Sequence, residues 1–320
     1  MLISSRRLTK QIGCRRLLGW AVMLGYGLAG CNSLVQDVNP GLLPNATPQL
    51  VIHSYLSPQD TVLTAAVSLS RTSTGNQSST TEINSLPNAT VTLSEGPRSV
   101  ALRYDARQSL YRADPAQFPI QAGHTYTLAV STPDGLTARA NTTVPVLVPI
   151  TSFRSDSATA RFEQAIDYFV QFSWQDPANV VNYYHLAGDN EYGSTERVLQ
   201  GNTFVDHPFR AVGSIYYGVT YGQNFALTDQ DRDGQVFDSP QGRLSYSNIN
   251  GQRINTPPLT ANVYLLSVDV AYYQYHQSLY RQQDTNSNPF AEPTLITGNI
   301  QGGFGCFGSY CRSSVSARIK

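Results

Sequence analysis

The stretch Leu63-Thr64-Ala65-Ala66-Val67-Ser68-Leu69 decides the fold class, because apolar side chains occupy every second position along it. Side chains of a strand point alternately to its two faces, so this period of two indicates a β-strand with one buried face. The same alternation returns at Ala89–Leu93 and at Tyr126–Val130. Pro133-Asp134-Gly135 predicts a hairpin turn, since Asp-Gly supplies the positive φ that tight turns need.

The spacing of such segments predicts an immunoglobulin-like β-sandwich over residues 49–148. About seven short strands fit between Leu50 and Val144, which is the rhythm of that fold. Gly123-His124-Thr125-Tyr126 is similar to the tyrosine corner that leads into a late strand of such sandwiches. Val144–Pro149 contains two prolines and predicts an extended connector at the end of the domain.

Residues 149–320 predict a second β-rich domain that holds 14 of the 19 tyrosines. Tyr272, Tyr275 and Leu279 lie at i, i+3 and i+7, which predicts one α-helix over about 269–284 that Asp269 or Ser267 can cap. The fold class is therefore mainly β, with a single helix in the second domain. Strands are predicted at Phe169–Trp174, Val180–Ala187, Val263–Val268 and 294–319.

The N-terminus predicts export and lipidation. Basic residues precede a short apolar run from Leu17 and the motif Leu28-Ala29-Gly30-Cys31. That order is typical of a signal peptide, here residues 1–30, and the apolar run is too short for a comfortable membrane span. The motif resembles the lipobox of bacterial lipoproteins, which implies a lipid on Cys31. The polar, proline-bearing stretch that follows predicts an extended tether over residues 31–48. An ordinary secreted protein cut nearby, or an uncleaved anchor, is the alternative.

Charge argues against a nucleic-acid partner. Removing the five basic residues of the signal peptide from the total of 22 leaves 17 basic against 22 acidic residues, a net charge of −5. Phosphate binding needs clustered Lys and Arg, yet Lys320 is the only lysine left after cleavage.

The cysteines predict one local disulfide. Cys14 is removed with the signal peptide and Cys31 takes the lipid, so Cys306 and Cys311 remain in a compartment where disulfides persist. A Cys306–Cys311 bridge is expected, with two buried free thiols as the alternative. A metal site at these thiols is not expected, because no second Cys or His pair has ligand spacing nearby.

The segment Asp229-Gln230-Asp231-Arg232-Asp233-Gly234 has the D-x-D-x-D-G start of a calcium loop. Position twelve is Pro240, where a calcium-binding helix–loop–helix needs a bidentate Glu, although Asp238 could substitute. The sequence therefore predicts a structural calcium ion at Asp229, Asp231, Asp233 and Asp238, with an acidic β-turn as the alternative. No other cofactor is expected.

No catalytic constellation is recognisable. The five histidines are scattered, and neither H-E-x-x-H nor G-x-S-x-G occurs. We expect no enzyme, and a hydrolase built from distant residues is the remaining alternative. Two short segments, Asp60-Thr61-Val62 and Asp156-Ser157-Ala158, resemble an O-glycosylation motif of bacterial envelope proteins and predict modification at Thr61 and Ser157. The polar stretch 73–85 predicts a mobile loop.

Several stretches together resemble the domain-of-unknown-function family 4249, lipoproteins of the Gram-negative cell envelope. They are Leu50–Leu56, Gly123–Leu128, Asn182-Tyr183-Tyr184, Asn288–Pro293 and Asn299–Gly308. The resemblance implies a two-part β-rich lipoprotein, often encoded beside TonB-dependent outer-membrane transporters. It implies no enzyme and transfers no catalytic residue. The family more often has an apolar residue where Cys306 stands, so the expected disulfide is a local feature.

These observations predict an outer-membrane lipoprotein, an accessory or ligand- or partner-binding protein of a TonB-dependent transporter system. The alternative is a stand-alone glycan-binding or structural protein of the cell envelope. Whether it faces the periplasm or the cell surface stays open. The excess of tyrosine is compatible with recognition by stacking or anchoring, and equally with strands whose cores are filled by Tyr.

Overall fold

The sandwich predicted for the first half is present in the computed structural model, which describes residues 47–70, 85–159, 166–218, 225–246, 248–249, 252–253, 258–286 and 294–319. The described residues from Pro48 onward belong to one compact unit. Cys31, its tether up to Ala46 and the loop predicted over 73–85, except Ser85, lie outside the described residues. Within those residues, no helix has the length and apolar character needed to cross a membrane.

Seven strands form the sandwich, and their pairing has immunoglobulin topology. Neighbours follow the order β1-β2-β5-β4 in one layer and β3-β6-β7 in the other, and the β3–β4 hairpin joins the layers. This is the A-B-E-D and C-F-G order of an immunoglobulin constant domain. The strands are β1 (Leu50–Leu56), β2 (Leu63–Leu69), β3 (Thr90–Glu95), β4 (Arg98–Asp105), β5 (Leu110–Ala113), β6 (Thr125–Ser131) and β7 (Thr137–Thr143).

The alternation in the sequence becomes the sandwich core. In β2, Leu63, Ala65 and Val67 are buried while the residues between them are half-buried. Each fully buried Val, Leu or Phe contributes about 1.5–3 kcal/mol through removal of apolar surface from water. The tyrosine corner is confirmed, because the Gln121 N–H donates to the Tyr126 hydroxyl over 2.8 Å. This bond ties the entry of β6 to the preceding loop.

The second half continues the same sheet and adds a smaller one. The order β11-β10-β17-β18 leads directly to β1, and with β12 paired to β10 this makes a 12-stranded sheet. A sheet of four contains β13, β9 and β14 with β8, and β15 pairs only with β16. The strands are β8 (Ile150–Thr159), β9 (Ile166–Gln175), β10 (Tyr183–Gln200), β11 (Thr203–Ser214), β12 (Phe225–Thr228), β13 (Val236–Asp238), β14 (Gly242–Arg243), β15 (Asn248–Ile249), β16 (Gln252–Arg253), β17 (Pro258–Val268) and β18 (Gly303–Arg318).

The C-terminal strand β18 pairs with both halves of the protein. Its Gly303–Ser309 segment is parallel to β1, and its Tyr310–Arg318 segment is antiparallel to β17. Gly305 permits the close pairing, because its φ is +105° and a Cβ there would lie 2.0 Å from the Ile52 carbonyl oxygen. The division into domains at residues 148 and 149 stays a prediction, and β18 is the element common to both sides.

The predicted helix is confirmed as α1 (Val270–Asn286). Asp269 caps it, since its Oδ1 accepts from the Tyr272 N–H at 3.1 Å. The same carboxylate accepts from the Ser309 N–H at 3.0 Å and from the Thr142 hydroxyl at 2.8 Å. Asp269 therefore fixes the start of α1 against β7 and β18.

Two strand predictions were wrong at their first residues. The strand expected from Val180 begins at Tyr183, and the strand expected from residue 294 begins at Gly303. Val180 and Val181 are apolar but exposed and lie outside the ladders, and residues 294–302 are mixed in polarity and make only the isolated bridge of Gln301 with Arg139.

Candidate functional site

An apolar groove of about 830 Å³ opens where four segments meet. Its walls are the end of β7 with the connector that follows, the turn before β10, the first turn of α1, and residues 297–299. We call it the valine groove after seven of its lining residues, Val144, Val146, Val148, Val180, Val181, Val268 and Val270.

Four of these valines are unusually exposed for apolar side chains. Val146 is 69 % exposed, Val181 66 %, Val180 60 % and Val270 44 %. The connector prolines and the Asp176-Pro177 turn hold Val146 and Val180 outside any ladder, so no neighbouring strand covers them. An apolar, concave surface with a few polar groups is the usual character of a ligand or partner site.

The polar groups of the groove are almost all neutral. The side-chain amides of Asn141, Asn182, Gln274 and Asn299 line it, and Asp269 is its one carboxylate. Burial raises the pKa of Asp269, and that carboxylate already accepts three hydrogen bonds. The groove therefore suits a neutral, apolar segment that also offers amide hydrogen bonds, and it offers nothing to a phosphate or a polyanion.

The structure brings together only part of the predicted calcium site. Ligand oxygens of Asp229 and Asp233 lie with one of Asp176 inside a group whose atoms are all within 4.8 Å of one another. Asp231 is exposed and outside this group, and Asp238 lies in β13 with the Ser173 hydroxyl donating to it. Asp176 was missed because 53 positions separate it from Asp229 and because Asp-Pro indicates a turn by itself.

The carboxylate oxygens of the acidic group already accept hydrogen bonds from backbone N–H groups. Asp229 accepts from the Asn182 N–H at 2.8 Å, and Asp233 accepts from the Asn179 N–H at 2.9 Å. Asp176 accepts from the Gly234 N–H at 2.8 Å and from the Tyr184 hydroxyl. These bonds pin the acidic turn to the turn before β10, which is one wall of the valine groove. Calcium binding stays a prediction.

A layer of histidines and tyrosines lies between α1 and the sheet, which the scattered sequence positions did not predict. The His53 Nε2 lies 2.6 Å from the Tyr275 hydroxyl, and the His185 Nδ1 lies 2.7 Å from the Tyr272 hydroxyl. The ring of His276 lies 4.3 Å from that of Tyr272 and 5.9 Å from that of His185. The Nε2 atoms of His185 and His276 are buried without a hydrogen-bond partner.

Burial makes this layer a neutral packing element. It lowers the pKa of His185 to about 4, with a smaller contribution from His276, and it also lowers the pKa of His276 to about 4. Burial raises the pKa of the neighbouring Cys306 thiol far above its ordinary value. A protonated thiol is a poor nucleophile, so the arrangement does not activate Cys306.

The predicted Cys306–Cys311 disulfide is wrong. Both cysteines are free and buried. They lie five residues apart in β18, so they point to opposite faces and their Cα atoms are about 16 Å apart, against the roughly 7 Å limit for a bridge. The Cys306 thiol donates to the Ala271 carbonyl of α1, whereas Cys311 belongs to the core of the sandwich.

The tyrosines of the second half favour the structural interpretation. None of the tyrosines among the described residues is exposed. Tyr184, Tyr217 and Tyr272 are buried, and Trp174 packs edge-on against Tyr184 at 5.3 Å between ring centroids. These rings fill the core around Phe237 and α1, so they offer no stacking platform to a sugar.

The predicted modification sites are accessible. Thr61 is exposed in the turn between β1 and β2, and Ser157 is exposed on β8. The polar segment around Ser157 forms a strand that pairs with β9, and Ser157 aligns with Tyr168. Glycosylation at either position stays a prediction, as does lipidation of Cys31.

The fold and the groove together define a mainly β protein, an immunoglobulin-like sandwich whose sheet extends into a second, helix-covered half. Residues 35–316 match the family described as Domain of unknown function (DUF4249). The match covers most of the chain, so the protein belongs to this family. No curated protein matches the sequence.

Proposed function

We propose that this protein is an outer-membrane lipoprotein, anchored through Cys31, that binds a partner rather than catalysing a reaction. The partner would be a TonB-dependent transporter, or its ligand, of which a neutral apolar segment occupies the valine groove. The observation that carries the proposal is the exposure of four valines around a single concave surface.

The chemistry of the groove supports binding over catalysis. Catalysis needs a nucleophile or a base with access to substrate, and the one carboxylate of the groove is already committed to capping α1. The exposed valines gain free energy only when something covers them, at about 25 cal/mol per Å². The expected occupant is therefore an apolar stretch of polypeptide or a comparably apolar ligand.

The lipid anchor and the family resemblance support an outer-membrane partner. A chain tethered by Cys31 meets membrane proteins in two dimensions, which raises their effective concentration. Proteins that resemble this family are often encoded beside TonB-dependent transporters. The transporter is therefore the first partner to test.

The test is affinity purification of the full-length, tagged protein from detergent-solubilised outer membranes, with mass spectrometry of what co-purifies. The double variant Val180→Ser/Val181→Ser should recover at least about tenfold less transporter, because two apolar contacts are lost. Crosslinking, where used, should act through carboxylates or light, since Lys320 is the only lysine after cleavage.

The matched control is Val212→Ser/Val236→Ser, because these valines are 66 % and 54 % exposed and lie outside the groove. The control should recover the transporter as the unaltered protein does. Equal recovery by the groove variant would remove the groove from the proposal. Repeated recovery without any transporter, together with specific glycan binding by the purified chain, would favour the stand-alone alternative.

A further inference from the structure

The longest hairpin among the described residues extends beyond the pairing of β10 with β17. That pairing ends at Tyr192, but β10 continues to Gln200, and Asp189–Gln200 of β10 pair with the whole of β11. Gly193–Gln200 of β10 and Thr203–Arg210 of β11 therefore form a two-stranded segment outside the pairing with β17, which we call the ribbon. It extends about 25–30 Å past the last strand pair at its base.

The end of the ribbon is apolar on both of its faces. Leu199 pairs with Phe204, and one step back Val198 pairs with Val205 on the opposite face. Leu199 is 58 % exposed and Phe204 65 %. We call these four residues the ribbon tip. A sheet that docks on a flat surface needs one apolar face, so apolar side chains on both faces indicate an element that is surrounded when bound.

A polar collar follows the ribbon tip. The Arg197 guanidinium contacts the Asp206 carboxylate at 2.7 Å, and in the next pair Glu196 faces His207. In the collar, the single Arg197 stands against the two carboxylates of Glu196 and Asp206. Negatively charged lipid headgroups would attract a basic collar, and this collar is not basic.

The open edges of the ribbon argue against insertion into lipid. The Ile215 N–H donates to the Gly188 carbonyl, and hydrogen-bonded positions alternate along an antiparallel pair. The backbone groups of odd-numbered β11 residues therefore bond to β10. The backbone groups of even-numbered residues, such as Phe204 and Asp206, point away from β10. Beyond Tyr192, the far edge of β10 has no pairing strand among the described residues either. Unpaired backbone groups are very costly in hydrocarbon, which is why open-edged hairpins do not enter it.

The same geometry argues against pairing with a second copy of this chain. Pro208 has an even number and lies on the outer edge of β11, where it interrupts the row of donors that another strand would use. The occupant is therefore not an added strand. It must contact the side chains of the ribbon tip.

The ribbon and the start of β1 lie at opposite ends of β18. Leu50, where the chain enters β1, aligns with Gly303 at the start of β18. Thr260 aligns with Arg318 at the end of β18, and Glu191 aligns with Thr260 just before the ribbon begins. The ribbon therefore begins at the end of β18 opposite to the end at which Leu50 enters β1.

From these observations we infer that the ribbon is a docking arm whose apolar tip inserts into an apolar pocket of a folded protein partner, with Arg197 and Asp206 at the rim of that pocket. The inference rests on the proposed function as a partner-binding protein. It adds a second contact, separate from the valine groove, and it assigns the outermost contact to side chains rather than to backbone pairing.

The experiment places a photoreactive benzoylphenylalanine at Phe204 of the full-length protein in living cells, followed by illumination and mass analysis of the adducts. The control position is Val236, which is 54 % exposed and lies on β13. We expect adducts from position 204 to one segment of one other protein, at least about tenfold above position 236. Adding Leu199→Ser should reduce that yield by about tenfold without changing the unfolding midpoint.

Each other outcome overturns the inference. Adducts with the mass of a phospholipid would make the ribbon a membrane contact, and adducts of twice the chain mass would make it a self-association surface. Equal yields at both positions, or no adduct, would show that nothing encloses the ribbon tip. If position 204 gives no protein adduct but the valine-groove variant still recovers less transporter, the inference fails and the proposed function stands. If the unaltered protein neither forms adducts nor co-purifies with any partner, both are rejected.

Discussion

Replacing His185 should remove much of the acid sensitivity of the fold. His185 is 5 % exposed, its Nδ1 contacts the Tyr272 hydroxyl, and burial lowers its pKa from 6.5 to about 4. Between those pH values the unfolded chain binds a proton at this residue that the folded chain does not. Stability from the neutral ring is therefore complete above pH 6.5 and is lost as the pH falls towards 4.

The lowering of the His185 pKa from 6.5 to about 4 corresponds to roughly 3–4 kcal/mol, at about 1.4 kcal/mol per pH unit. His185→Phe keeps an aromatic ring at this position and removes the proton site, at a cost of about 1–3 kcal/mol at pH 7 because the buried Tyr272 hydroxyl loses its partner. Between pH 7 and pH 4 the variant should therefore lose about 3 kcal/mol less of its free energy of unfolding than the unaltered protein.

Urea unfolding of the chain from Asn32 onward, at four pH values from 7 to 4, measures this difference. Trp174 is the only tryptophan in that chain and is fully buried, so its fluorescence reports unfolding of the second half. His207→Phe, an exposed position on the ribbon, is the control for losing a histidine in general. Parallel pH profiles for the unaltered protein and His185→Phe would refute the assignment of the acid sensitivity to this ring.

Four further outcomes are expected. Radiolabelled palmitate should label the unaltered protein and not Cys31→Ser, and equal labelling of both would contradict lipidation. Alkylation under denaturing conditions without reductant should modify both Cys306 and Cys311, because β18 holds them on opposite faces; an unmodified pair would restore the disulfide. Calorimetry at millimolar calcium should show weak binding that Asp229→Asn abolishes, and no heat from the unaltered protein would leave the acidic turn as a purely structural feature. Gly305→Ala should cost at least about 2 kcal/mol in urea unfolding, since its Cβ would meet the β1 backbone; an unchanged midpoint would contradict that contact.

The sandwich could be predicted because the signals for its strands and turns lie in short stretches of neighbouring residues. Each of its strands has a period of two, and turns separate them at short intervals, so the seven strands and the tyrosine corner follow from neighbouring residues. The helix was predictable for the same reason, through its i, i+3, i+7 spacing and its Asp269 cap. These are the features for which alternation and capping carry direct physical meaning.

The candidate sites could not be predicted because they depend on distant pairing. The valine groove gathers segments separated by more than a hundred residues, and Val180, although of a residue type common in strands, belongs to no ladder among the described residues. The disulfide failed because compartment and spacing were considered without strand geometry, which places positions five apart on opposite faces. Asp176 joined the acidic group only through the folding of β9 against β13.

The parallel β1–β18 ladder can form only late in folding. Leu50 and Gly303 are partners across 253 positions, so closing that ladder requires the ordering of nearly the whole chain between them. During synthesis, β1 has no neighbour on one side until residue 309 has emerged. Until then an apolar edge that includes Leu50 and Ile52 is available to other chains, and a protein shortened before Gly303 would keep that edge permanently open to aggregation.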